Sequence, residues 1–230
     1  MSSSASSPRD AVSTASEVPS APSAAAYIVI LAGVCAAVHM GKLPPAITAL
    51  QAALGMSLLQ AGFLLSLIQL AGMSSGVAFG ALADSLGSRR SMLIGLCLLG
   101  VSSALGGWTT AVPALMALRA VEGFGFLLVV LPAPGLLRRL VAPANMNPVL
   151  GLWSAYMPLA TASALLAGPL WIVAFGWRSW WWLLAALSLV MAAWLARAVP
   201  ESASAHGAPR VSLSWARRLR VTLSDRKSGV

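Results

Sequence analysis

Long apolar runs separated by short polar turns dominate the chain. Six runs cover about 27–50, 58–83, 91–108, 110–137, 148–175 and 179–199. A hydrocarbon core about 30 Å thick needs roughly 20 apolar residues of helix, so each run is long enough to cross it. Backbone groups in lipid must satisfy one another, which makes each run an α-helix. Gly55, Gly87, Gly107, Pro143 and Gly176 mark the turns between runs. The pattern predicts an all-α integral membrane domain of six transmembrane helices over 24–199. Residues 1–23 are rich in Ser, Ala and Pro and read as a disordered cytoplasmic tail. Residues 200–230 are polar and basic and read as a cytoplasmic connector or a truncated C-terminus.

Composition narrows the class. Hydrophobic residues make up 58% of the 230, charged residues 9%, and mean hydropathy is +0.82. Soluble domains carry about a quarter charged residues, so a soluble enzyme is excluded, and disorder of the whole chain with it. Cys35 and Cys97, the only two cysteines, both lie inside apolar runs and give no disulfide scaffold. A net charge of +9 would suggest nucleic acid if one face carried it. The basic residues instead flank the apolar runs, as membrane topology requires, so no nucleic-acid partner is expected. With the N-terminus inside, twelve of the fifteen fall on the inner side: Arg9, Arg89, Arg90, Arg138, Arg139, Arg197, Arg210, Arg217, Arg218, Arg220, Arg226 and Lys227. Arg178 falls outside, and Lys42 and Arg119 lie within runs. Both termini are therefore expected in the cytoplasm of a multi-pass protein in the inner or plasma membrane. Runs one to three and four to six have opposite orientations, which is compatible with the 3+3 inverted repeat of secondary transporters.

The loop between runs two and three reads Gly80-Ala-Leu-Ala-Asp84-Ser-Leu-Gly87-Ser-Arg89-Arg90. Gly80 permits close helix approach, Asp84 ends the span with a charge, Gly87 turns the chain, and Arg89 and Arg90 anchor the inner end. An ordinary inner loop explains the arginines but not Asp84 at that spacing. The segment resembles the major facilitator superfamily, whose signature here is G-x-L-a-D-r-x-G-r-(K/R). Gly80, Leu82, Ala83, Asp84, Gly87 and Arg89 match, while Ser85 and Ser88 stand where the family often has arginines. The resemblance implies a gating loop whose acid, matching Asp84, acts on a second six-helix half.

A second likeness lies at Arg119-Ala-Val-Glu122-Gly123-Phe-Gly125, similar to the family's R-x-x-q-G-x-g, with Glu122 in place of Gln. An arginine inside a span is expensive and needs a partner or a polar cavity. Glu122, three residues on, shares its helix face. Two readings stand: a substrate or proton site, or a structural pair locking span four to span one. In span five, Gly168-Pro169 resembles part of the G-x-x-x-G-P-x-x-G-G element of the family's drug–proton antiporters, and a packing kink explains it as well. Lys42 and Arg119 could together form a positive pocket for an anion; alternatively Lys42 snorkels to the outer headgroups. His39 could carry a proton or bond a neighbour. Leu43-Pro44-Pro45 and the opening of span two at Gln60 look like the cyanate and nitroimidazole-type branch of the superfamily.

Other strings carry less. Gly72-Met-Ser74-Ser-Gly76 spells the nucleophile elbow of hydrolases, but that motif needs a strand-to-helix turn and this copy lies mid-span. The aromatic cluster Phe175-Gly-Trp177-Arg178-Ser-Trp180-Trp181-Trp182 reads as an interfacial anchor, with Arg178 pairing to lipid phosphates. No catalytic set, metal-ligand set or nucleotide fingerprint is present, so no enzyme activity, metal or cofactor is expected.

The resemblance implies secondary transport of a small solute by alternating access, with a small or organic anion favoured and protons as coupling ion. Drug–proton efflux is a second transporter reading, and a non-transporting membrane protein a third. Superfamily transporters have two six-helix halves, and this chain supplies one. Three arrangements fit: a truncated reading frame, a half pairing with another chain, or a homodimer of halves.

Overall fold

The computed structural model describes residues 23–201, so the expectations for the terminal tail and the basic connector lie outside the described residues. The helices are α1 (Ala24–Gly41), α2 (Ile47–Leu54), α3 (Leu58–Leu86), α4 (Ser88–Trp108) and α5 (Val112–Val130). They continue with α6 (Ala133–Leu140), α7 (Met146–Ser154), α8 (Tyr156–Phe175) and α9 (Trp177–Ala198). Single 3-10 turns at Pro44–Ala46 and Pro143–Asn145 lead into α2 and α7.

Among the described residues five stretches are long and apolar enough to cross a bilayer: Ala24–Leu54, Ser88–Trp108, Val112–Leu140, Pro143–Phe175 and Trp177–Ala198. The run pattern predicted six. The difference lies at α3, which is 29 residues long but whose apolar part is Leu58–Leu70. Beyond Leu70 its sequence is rich in Gly, Ser and Ala, which lowers its hydropathy without stopping the helix. Ser74 lies in that part with its hydroxyl donating to Leu70 O at 2.7 Å, inside a helix rather than at an elbow.

Local chemistry explains the joints. Gly55, Gly87 and Gly176 have φ of 62°, 84° and 82°, the left-handed region where a side chain is strained. α3 opens with a capping box, Ser57 Oγ accepting from Gln60 N while Gln60 Oε1 accepts from Ser57 N. Gly107 closes no turn; it sits in the last turn of α4. The first stretch is broken because Pro44 and Pro45 carry no N–H for the carbonyls of Met40 and Gly41. The chain makes one tight turn there and resumes as α2.

Four helices, α1, α4, α5 and α9, form the centre, with α3 packed on α5 and α8 on α1. α4 and α5 meet backbone to backbone, where a Cβ at Gly95 would stand 2.6 Å from Gly125 O. Two apolar cores fill the bundle. One gathers Val29, Ala32, Met92, Leu96, Val129 and Leu195. The other gathers Leu43, Leu50, Leu115, Trp177, Trp181 and Leu184. Between them each central helix contributes buried polar side chains: His39 and Lys42, Ser103, Arg119 and Glu122, and Ser188. This polar belt at the waist is the candidate site.

Candidate functional site

Arg119 projects from the middle of α5 toward the broken end of α1. Its Nη1 donates to His39 O at 2.5 Å and its Nη2 to Met40 O at 3.3 Å. Met40 O is the carbonyl that Pro44 cannot serve, so the arginine replaces a donor the proline pair removed. The positive guanidinium also faces the negative end of α1. Its Nη1 further donates to Glu122 Oε2 at 2.7 Å, the two residues lying one turn apart on α5. Among the described residues the Arg119 Nε–H meets no acceptor.

Lys42 turns inward from the same break. Its ammonium donates to Glu122 Oε1, to Ser103 Oγ at 3.0 Å and to His39 Nδ1 at 3.5 Å. Those three bonds use its three N–H groups. The Trp181 ring lies below the charge at 4.8 Å, and Trp180 Nε1 donates to Lys42 O at 3.3 Å. The Ser103 hydroxyl donates in turn to Trp181 O at 2.9 Å, which ties α4 to α9. His39 Nε2 stands 2.8 Å from Ser188 Oγ, and Ser188 lies 3.6 Å from Cys35 Sγ.

Lys42, His39, Glu122 and Arg119 are 0, 1, 2 and 3% exposed. Snorkelling of Lys42 to the headgroups is therefore overturned: Glu122 offers a nearer counter-charge than the interface does. Glu122 shares its two oxygens between two cations, so with His39 neutral the cluster holds one surplus positive charge. Burying charge without a full complement costs several kcal/mol, so such a group is either partnered further or poised to take an anion.

The loop motif sits elsewhere. Asp84 and Arg90 are both exposed. Gly87 makes the turn. Nothing among the described residues lies within 4 Å of a Cβ built on Gly80, so the close approach expected there is not made inside this bundle. Arg89 caps α9, donating to Val199 O and Ala196 O at 2.6 Å each and pairing with Glu201 at 3.2 Å. Gly123 and Gly125 are buried on α5. Gly168 seats Pro45, with 2.7 Å left for a Cβ, and Pro169 lies inside a helix that runs unbroken to Phe175.

Sequence reasoning brought Lys42, Arg119, Glu122 and His39 together as candidates but missed Ser103, Ser188, Trp180 and Trp181. A serine in an apolar run looks like a packing residue. An aromatic cluster at a span end signals an interfacial anchor, yet Trp180 and Trp181 are buried against Lys42. Arg178, expected on lipid phosphates, donates instead to Gly107 O at 2.7 Å and Thr109 O at 3.2 Å, closing the end of α4.

Residues 29–227 match the family model described as Major Facilitator Superfamily. The chain is 31% identical over 103 residues to the tetracenomycin C resistance and export protein of Streptomyces glaucescens, which covers 45% of this chain and 19% of that protein. It is 30% identical over 132 residues to the Bacillus subtilis (strain 168) protein called "Putative niacin/nicotinamide transporter NiaP", covering 57% and 33% respectively. A crystal structure of a bacterial homologue of the human lysosomal transporter Spinster, inward-facing and unoccupied, superposes with a TM-score of 0.67 at 15% identity. That superposition covers 83% of this chain and 45% of the other. The chain thus spans less than half the length of each of these proteins in the matched part.

Proposed function

The chain belongs to the Major Facilitator Superfamily, and on that premise we propose that it carries a small organic anion across the membrane by alternating access. The observation that carries this reading is the buried cluster of Lys42, Arg119 and Glu122, two cations against one carboxylate. An incoming carboxylate would compete with Glu122 for Arg119 and Lys42, and the unserved Arg119 Nε–H gives it a further donor. A displaced Glu122 would then take up a proton, which couples the solute to a proton gradient. His39, between Lys42 and Ser188, lies on the same pathway. In this reading Gly80, Asp84, Gly87, Arg89 and Arg90 form the gating loop, with Gly123, Gly125, Gly168 and Pro169 setting helix packing.

The arrangement we propose has six spans as two inverted sets of three, α3 being the second span, and both termini in the cytoplasm. α3 and α8 expose Leu58, Leu59 and Phe63, and Leu166, Leu170 and Val173. A second six-helix half or a second copy of the chain would cover part of those faces.

Niacin, named for one relative, is a carboxylic acid whose anion, nicotinate, is a suitable probe. The chain in proteoliposomes is expected to take up labelled nicotinate, and Arg119→Ala to abolish uptake while leaving membrane insertion intact. Undiminished uptake by the variant contradicts the assignment. The likeness to a tetracenomycin C export protein supports a second reading, export of a larger drug-like molecule. Tetracenomycin C uptake into inverted vesicles that exceeds nicotinate uptake would favour it.

A further inference from the structure

The polar belt contains one contact outside the charged cluster that fixes a proton's position. His39 Nδ1 lies 3.5 Å from Lys42 Nζ and 3.8 Å from Glu122 Oε1, while Nε2 lies 2.8 Å from Ser188 Oγ. An ammonium only donates, so Nδ1 facing Lys42 must present its lone pair. The imidazole proton then sits on Nε2 and points at Ser188. The other tautomer would place the proton on Nδ1 toward Glu122, beyond hydrogen-bond reach at 3.8 Å. Ser188, accepting from Nε2, has its own hydroxyl proton free for Cys35 Sγ at 3.6 Å. The bonds thus run in one direction, from Lys42 through His39 and Ser188 to Cys35.

We propose that Ser188 on α9 is a positioning residue of the buried site, holding His39 as the Nε2–H tautomer so that Nδ1 accepts a hydrogen bond from the Lys42 ammonium. The proposal rests on the functional reading of the cluster. Its consequence is that α9 is joined to the charges on α1 and α5. With Nδ1 occupied on one side and Ser103 on another, the third Lys42 N–H is aimed at Glu122. Releasing His39 would let the Lys42 ammonium swing and loosen its hold on the carboxylate. Ser188 is 0% exposed, so solvent offers no substitute acceptor.

The chain has two histidines, His39 and His206, which makes the tautomer directly readable. The full chain carrying His206→Gln and labelled with 15N-histidine, in lipid nanodiscs, gives one imidazole. We expect its nitrogen shifts to report a protonated Nε2 and a bare Nδ1. Ser188→Ala should convert that signal to a mixture of tautomers, and Ser188→Thr, which keeps the hydroxyl, should restore it. An Nδ1–H tautomer or a doubly protonated ring in the parent overturns the proposal, as does an unchanged signal in Ser188→Ala. If instead Arg119→Ala leaves nicotinate binding intact while the His39 signal behaves as expected, the functional reading fails and the positioning role stands as structural.

Discussion

At the scale of single residues, the sign of the surplus charge orders the variants. Glu122→Gln leaves Lys42 and Arg119 facing each other without a carboxylate, and we expect it to cost about 3–5 kcal/mol of stability, as breaking a buried pair does. Lys42→Met removes the surplus and leaves Arg119 paired with Glu122 at 2.7 Å, so it should cost clearly less. The double variant should be more stable than Glu122→Gln alone. Thermal unfolding of the purified chains in detergent checks the order, and a larger loss in Lys42→Met than in Glu122→Gln would contradict the charge assignment. Part of this was legible in the sequence. Arg119 and Glu122 are one helical turn apart, so spacing alone pairs them. The partnership of Lys42 with Glu122 joins residues 80 positions apart, and only the packing of α1 on α5 brings them together.

At the scale of helices, close backbone approach separates glycines that pack from glycines that do not. Gly95→Ala puts a Cβ 2.6 Å from Gly125 O and must push α4 from α5; we expect about 1–3 kcal/mol of destabilisation. Gly80→Ala meets nothing within 4 Å in the bundle and should leave its melting unchanged. Equal gains in both would show that helix propensity, which favours Ala over Gly, rather than contact sets their effect. Arg89→Ala frees two carbonyls at the end of α9, and faster amide exchange over Ala196–Val199 should report the fraying. The apolar runs revealed the helices because lipid imposes one backbone solution on them. They did not reveal the break in the first stretch, although Pro44-Pro45 was visible. A proline pair can kink a helix or break it, and in an apolar surrounding a break is sustained where another group serves a freed carbonyl, as Arg119 serves Met40 O. The roles of Arg89 and Arg178 as helix caps were hidden for a related reason. Basic residues at span ends also satisfy membrane topology, so their position does not disclose the carbonyls they serve.

At the scale of the whole molecule, two apolar cores enclose a charged waist, and the outer helices α3 and α8 leave broad apolar faces. Those faces lie on the outside of the bundle, whereas the waist is closed by the chain's own central helices. On the proposed reading, a solute that reaches Arg119 opens the bundle and replaces Glu122, which favours a carboxylate over a neutral molecule of the same shape. Nicotinate and nicotinamide make that comparison directly, since they differ in the charged group and share the ring. The decisive measurement is binding of each to the full chain in nanodiscs, with and without Arg119→Ala. We expect nicotinate to bind, nicotinamide to bind at least tenfold more weakly, about 1.4 kcal/mol, and Arg119→Ala to remove the difference. Equal binding of the two, or nicotinate binding that survives Arg119→Ala, would contradict an anion site at the charged waist.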